Sequence, residues 1–532
     1  MGKYKHFGVM LDCSRNAVMT VKTVKHMIDC LEKIGYNTLE LYCEDTYEVE
    51  GEPYFGYLRG RYTAAEIREI DEYAKQHGIE LIPCIQTLAH FTATCRHGVY
   101  SDIFDLQDIL LIDEPKTYEF IEKLFKFCAD NFTSRNINIG MDEAHMVGLG
   151  RYLNKHGYQN RFEIISRHLN KVADIAKKYG FKAHMWSDMF FRLATGGEYY
   201  APNAEIPDSV KKQVPDNVEL TFWDYYHTDK ALYDGMFKSH LDFGCGVWFA
   251  GGAWSWDGFA PLTSWTLRTM KPAMQSAAEH GIENVLMTCW GDNGNECSYY
   301  SLLYAWYTLR QYADENYDDE KIKKDFEKLF GLTADDMMLL DLPNMYSFED
   351  EGVQQNPCKC VLYADPFMGF MDTAVEYRGK IPYAAYAEKL AAAVSRVGEF
   401  GYIFDALAKL CSVMDIKYDL SLRTRKAYKA GDKKTLATIV ADFAEAEKRL
   451  VIFHDAFYTL WHKENKPQGW EVQDARLGGL MQRLATCRKR LQAYLAGELD
   501  KIDELEEEIL PHGNGQNLQH NFYCGAISMS PM

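Results

Sequence analysis

The chain has 532 residues, 47% of them hydrophobic and 25% charged, with a formal charge of −19 and no long apolar run. That length exceeds one compact core, so two or three domains are expected. The acidic balance argues against a nucleic-acid or polyphosphate partner, and without a long apolar run no helix spans a membrane.

Taken in order, strand-like runs alternate with helical patterns. His6–Cys13 reads as a strand, and Val21–Gly35 as a helix closed by Gly. Asn37–Tyr42 is a second strand, and Thr63–Gly78 a helix with Thr63 as N-cap and Glu66 three residues on. Glu80–Gln86, Ile137–Met141, Phe181–Trp186, Val218–Trp223, Gly246–Ala250 and Asn284–Trp290 continue the strands. Between and after them come helical patterns at Pro115–Phe132, Arg161–Gly180, Pro207–Gln213, His227–Lys238, Thr266–Gly281 and Ser298–Tyr312. Eight strand-then-helix units in about 310 residues predict an α/β fold, a (β/α)8 TIM barrel. A doubly wound sheet would carry a glycine-rich turn after its first strand; Leu11-Asp12-Cys13-Ser14-Arg15 is not one.

The predicted domains are a barrel over 1–315, an irregular connecting segment over 316–380 and an all-α C-terminal domain over 381–532. Within the second, Asp318–Leu332 is a charged helix, and Thr333–Met371 is irregular. From about Tyr383 to Glu508 the chain is amphipathic and helical, a bundle appended to the barrel. That domain is a packing buttress, or it supplies a loop to the pocket or a dimer contact. The tail Pro511–Met532 is either loose or laid across the barrel. At the other end, Met1-Gly2-Lys3 runs straight into a strand with no signal-peptide core, and His6 stands where myristoylation needs Ser or Thr. The 14 Cys are scattered through apolar runs, as buried reduced thiols of a cytoplasmic protein are.

Barrel chemistry sits where strands end and loops begin. That rim carries Asp12 and Arg15, Glu44 and Asp45, His90, Asp142-Glu143, Trp186-Ser187-Asp188, Trp223-Asp224-Tyr225-Tyr226, Trp254 and Trp256, and Trp290-Gly291-Asp292. Trp recurs beside carboxylates at strands five to eight, which suits a sugar: indole faces cover its C–H faces while charged groups bond its hydroxyls. Two adjacent carboxylates at a strand end also repel, so one is expected to hold its proton while its neighbour stays ionised. His90, His145, His184 and His227 lie near strand ends, but no His-x-His or His-Glu-x-x-His motif is present, so no metal or other cofactor is expected. Gly-x-Ser-x-Gly is absent as well.

Gly140-Met141-Asp142-Glu143 after the fourth strand resembles the Asp-Glu pair of family 20 β-N-acetylhexosaminidases. Leu11-Asp12-x-x-Arg15, His90, Trp186-x-Asp188 and Trp290-Gly291-Asp292 agree with it over roughly Lys5–Tyr312. The helical C-terminal domain resembles one branch of that family, and the small α/β domain often found ahead of the barrel is missing. The resemblance implies exo-acting removal of terminal non-reducing β-linked GlcNAc or GalNAc, in which the substrate's own acetamide oxygen attacks the anomeric carbon and configuration is retained. Glu143 would then be general acid and base, and Asp142 would orient the acetamide N–H. Trp186, Trp223 and Trp290 would wall the pocket, and Arg15, His90 and Asp292 would meet ring hydroxyls. The family's strand-seven Tyr, which holds the acetamide carbonyl, is absent from Gly246–Trp254; Tyr225 or the indole N–H of Trp254 would replace it. The implied partner is a small carbohydrate, with a homodimer left open. Two other readings compete: another (β/α)8 glycoside hydrolase using a carboxylate nucleophile, and a non-catalytic sugar-binding barrel.

Overall fold

The computed structural model describes residues 4–528 and 530, apart from the side chains of 193 and 194; the reading of Met1-Gly2-Lys3 lies outside the described residues. Eight parallel strands close into a barrel: β1 His6–Asp12, β2 Thr38–Tyr42, β3 Glu80–Cys84, β4 Asn136–Asn138, β5 Lys182–Trp186, β6 Val218–Trp223, β7 Val247–Gly252 and β8 Asn284–Cys289. Each strand pairs with its neighbours in sequence, and β1 closes on β8 from His6↔Asn284 to Leu11↔Cys289.

Local chemistry sets the outer ring. Helix α1, Val21–Ile34, is capped by the Thr20 side chain and closed by Gly35 at φ 91°. Helix α2, Ala64–Gln76, opens on a full Thr63/Glu66 capping box, and α3, Pro115–Asn131, begins at Pro. The ring continues with α4 Arg161–Lys178, α5 Asp188–Thr195, α6 Lys230–Leu241, α7 Thr263–Glu279 and α8 Leu303–Ala313.

Inside the barrel, Ile82, Trp248 and Leu286 form one apolar layer. Met10, Tyr42, Cys84, Trp186 and Ala250 form the layer under the rim, with Trp223 and Trp290 packed on it. The rim layer is thus a floor of aromatic rings for anything bound above. His184 lies inside the barrel, 3.1 Å from Glu40 and stacked on Trp248, and His227 pairs with Asp224 at 2.8 Å.

Beyond the barrel, the charged helix expected at Asp318–Leu332 runs over Asp319–Phe330, and the segment after it, expected to be irregular, holds short helices at Ala334–Met338, Pro357–Tyr363 and Asp372–Arg378. These three are five to seven residues long, too short for an apolar period to show. Every residue of Pro357–Tyr363 is nevertheless buried. Longer helices follow: α9 Tyr383–Ala393, α10 Gly401–Lys417, α11 Lys433–Glu464 and α12 Trp470–Ala496. These helices clasp the loop after β8. Lys359 Nζ sits 3.1 Å from Glu296 and donates to the Asn293 carbonyl, while Gln473 donates to the Gly294 carbonyl at 2.9 Å. The tail is pinned too: the Asn356 side chain donates to the Asp257 carbonyl at 2.7 Å and to Asn521 Oδ1 at 2.6 Å.

Candidate active site

At the carboxyl end of the strands lies a pocket of about 110 Å³. Arg15, His90, Asp142, Glu143, Trp186, Trp223, Tyr225, Trp290 and Asp292 line it, so nine of the ten residues expected at the site come together. Trp254 does not reach the pocket: it is 1% exposed, stacks on Trp256 with ring centroids 4.2 Å apart, and spends its indole N–H on the Tyr225 carbonyl at 3.0 Å. Trp256, two residues on, lines the wall instead.

The backbone turns sharply to present the two carboxylates. Strand β4 stops at Asn138, whose side-chain oxygen accepts the Gly140 N–H at 3.0 Å and bends the chain out of the sheet. Gly140 (φ 67°), Met141 (φ 71°) and Glu143 (φ 50°) are all left-handed, a costly conformation for the two residues that carry a Cβ. A Cβ on Gly140 would stand 2.0 Å from Gln86 Oε1. His90, at the end of its own loop, is likewise left-handed at φ 64°.

A buried network holds Asp142. Gln86 donates to Asp142 Oδ1 at 3.1 Å, and His90 Nε2 meets Oδ2 at 3.1 Å. Gln86 also donates to the Tyr42 hydroxyl at 2.9 Å, which donates to Glu44 at 3.2 Å. Arg15 donates to the same Glu44 oxygen at 2.7 Å and lies 3.7 Å from Asp292. Burial disfavours the charge on His90, but the Asp142 and Glu44 carboxylates outweigh it and raise its pKa to about 10. Burial likewise works against Asp142, and the His90 charge and the Gln86 hydrogen bond overcome it, holding Asp142 below the usual carboxylate range. Asp142 is therefore an anion with both oxygens fixed. Glu143, by contrast, projects into the opening with its side chain 56% exposed, one oxygen 3.9 Å from His90 Nε2.

Two further carboxyls titrate near neutrality. Burial pushes Glu44 up to about 7 despite Arg15 and His90. Asp188, which accepts the Glu143 backbone N–H at 3.4 Å, is pushed up to about 7 by burial and by the Asp142 and Glu143 charges. The sequence reading placed both on the rim without giving them a role. Gln86 and Tyr42, which tie Asp142 to Glu44, were legible only as strand-end residues. His90, Asp142 and Glu143 each offer a ligand atom within 4.8 Å of the others. Within that group His90 and Asp142 form an ion pair at 3.1 Å.

Fold and site together define a (β/α)8 barrel protein with an acidic, tryptophan-walled pocket at its carboxyl rim. Two family descriptions match the chain: the catalytic domain of glycosyl hydrolase family 20 over residues 4–236, and the glycoside hydrolase 20C C-terminal domain over residues 335–523. The chain belongs to glycoside hydrolase family 20. Among curated proteins it is similar to a probable beta-hexosaminidase of Arthroderma benhamiae, 24% identical over 264 residues covering 42% of each chain. It is also similar to a beta-hexosaminidase of Vibrio furnissii, 28% identical over 180 residues covering 27% of this chain and 29% of the other. The matched stretches thus span less than half the length of these relatives. A solved β-N-acetylhexosaminidase from Bacteroides fragilis superposes with a TM-score of 0.48 at 20% identity, over 62% of this chain and 70% of that one, a likeness too loose to carry an argument. Among the described residues no helix is long and apolar enough to cross a membrane.

Proposed function

We propose that this chain is an exo-acting β-N-acetylhexosaminidase that removes terminal, non-reducing β-linked GlcNAc or GalNAc with retention of configuration. The observation that carries this reading is the pairing of a fixed anion, Asp142, with an adjacent carboxyl, Glu143, that reaches into the opening. Their oxygens lie within 4.8 Å, near the spacing of an ordinary retaining pair, about 5–5.5 Å. Consecutive residues on one loop, however, share one side of the pocket and cannot flank a glycosidic bond. Asp142 also has donors on both oxygens, which makes it a poor nucleophile and a good electrostatic partner.

The substrate's acetamide oxygen therefore attacks the anomeric carbon. Glu143 protonates the departing oxygen and then takes a proton from the incoming water. Asp142 accepts the acetamide N–H with a remaining lone pair and balances the positive charge of the cyclic intermediate. Tyr225 supports the acetamide carbonyl. Its ring fills space that β7 leaves empty: a Cβ on Gly252 would stand 2.6 Å from the Tyr225 Cβ. Trp254 is not the donor, because its N–H is already committed. Trp186, whose indole nitrogen has no partner among the described residues, supplies a wall and a further donor, Trp290 supplies a second wall, and Arg15, His90 and Asp292 face the ring hydroxyls. The free thiols, most of them buried, fit a reducing, cytoplasmic setting.

Aryl β-N-acetylglucosaminide should be hydrolysed and aryl β-glucoside scarcely touched, and Glu143→Gln should cost roughly 10²–10⁴ in kcat on the first. Equal turnover of the two substrates, or full activity in Glu143→Gln, would remove this reading. A thiazoline mimic of the cyclic intermediate should inhibit competitively.

A further inference from the structure

On the side of Glu143 and Asp292 the pocket opens into a cleft of about 490 Å³. Two of its features are not needed for chemistry on the terminal sugar. The first is Phe522, a tail residue that lines the cleft with 66% of its surface exposed. Its neighbours are fixed: the Asn521 side chain donates to Asp257 at 3.2 Å, and the Arg476 guanidinium lies 5.2 Å from the Tyr523 ring centre. A phenyl ring held bare on an anchored backbone beside a sugar pocket is a platform for the face of a second ring.

The second feature is charge. Of the four arginines lining the cleft, Arg15 pairs with Glu44, Arg59 with Asp45 at 3.0 Å and Arg476 with Glu296 at 2.9 Å. Arg96, at the end of the short turn Thr94–Arg96, makes no ion pair among the described residues. Three carboxylates share the cleft, but Glu44 and Asp292 lie 2.7 and 3.7 Å from Arg15 and Glu143 is the proposed proton donor, so Arg96 is the cation left for an incoming anion. The guanidinium fork matches a carboxylate in two parallel hydrogen bonds.

We propose that this cleft is the leaving-group site and that it takes a uronic-acid ring, stacked on Phe522 with its carboxylate held by Arg96. The assignment rests on the proposed role of Glu143, because that residue lines both the pocket and the cleft and so places the scissile oxygen at their junction. The C-terminal tail thereby contributes directly to substrate choice.

The test compares kcat/KM of the full chain on an aryl β-N-acetylglucosaminide, on β-N-acetylglucosaminyl-glucose and on β-N-acetylglucosaminyl-glucuronate. The wild type should prefer the glucuronate over the glucose disaccharide by roughly tenfold at low salt, and the preference should shrink as salt is added. Arg96→Ala should bring that ratio to about one, and Arg96→Lys should keep part of it. Phe522→Ala should raise KM for both disaccharides by roughly tenfold with kcat little changed, and Phe522→Trp should restore it. A wild type that cuts the two disaccharides equally, or a ratio and KM unmoved by these variants, would overturn the assignment. The aryl substrate separates the failures. If it is turned over while the disaccharide pattern is flat, only the cleft reading falls. If it is not turned over at all, the proposed hydrolysis falls with it.

Discussion

Asp142 has its charge set by its surroundings before any sugar arrives. His90 meets one oxygen and Gln86 the other, so the carboxylate enters the reaction oriented and ionised. Because His90 is raised to about 10, it stays charged through the neutral range, and no limb of the pH–rate profile between 6 and 8 should belong to it. Asp142→Asn removes the strongest support for that charge. NMR titration of the variant should show the His90 pKa falling by several units, with kcat reduced roughly 10²–10³-fold. An unmoved histidine titration would contradict the ion pair. Similarly, Tyr225→Phe should lower kcat by roughly 10–10²-fold on N-acetyl substrates if its hydroxyl holds the acetamide carbonyl. At this scale the sequence showed the charged residues and the tryptophans, since their positions at strand ends are periodic. It did not separate Trp254 from Trp256: both follow β7 within five residues, and only the stacking of one on the other decides which is covered.

The turn between β4 and α4 concentrates the strain of the site. The sequence predicted a strand running to Met141, whereas β4 ends at Asn138 because its side chain captures the Gly140 N–H. Alternation of apolar residues gives no sign of that capture, nor of three left-handed residues in four. Gly140→Ala tests the turn. A methyl there meets Gln86 Oε1 at 2.0 Å and must hold φ near 67°, so the variant should lose about 1–3 kcal/mol of stability in urea unfolding. Its kcat should fall with it, because Gln86 cannot move without releasing Asp142. The first three outer helices were legible almost to the residue, since Thr63 with Glu66, Pro115 and Gly35 mark their own ends, whereas α6, α7 and α8 begin three to five residues from the expected starts.

Across the whole molecule, the barrel and the helical domain meet on buried polar groups that the sequence did not advertise, because their partners lie hundreds of residues apart. Glu464, the last residue of α11, accepts from Ser298 at 2.6 Å and Tyr402 at 2.7 Å, and its backbone carbonyl accepts from Thr20 at 3.0 Å. Burial, against those two hydrogen bonds, raises its carboxyl from 4.5 to about 7. The folded state therefore holds this proton more tightly than the unfolded chain does. Its stabilising contribution is complete below pH 4.5 and is lost as pH rises through about 7. Glu464→Gln keeps the acceptor oxygen without the charge. At pH 8 it should be more stable than the wild type by about 1–3 kcal/mol, with the gain vanishing at pH 5 in paired urea titrations. The short helices between Ala334 and Arg378 escaped the sequence for the same reason: their burial comes from contacts with distant segments.

The clasp on the loop after β8 has a consequence for the order in which a nascent chain becomes competent. The ring of strands and helices is fully written by Ala313, yet Asp292 rests on a loop tethered by Lys359 and Gln473, and the wall around Trp256 is tied down through Asn356 and Asn521. A ribosome that has finished the barrel has still to deliver some two hundred residues before those tethers exist. The rim pocket is thus completed late in synthesis, after the last helices have docked, and a partly made chain presents an unfinished mouth.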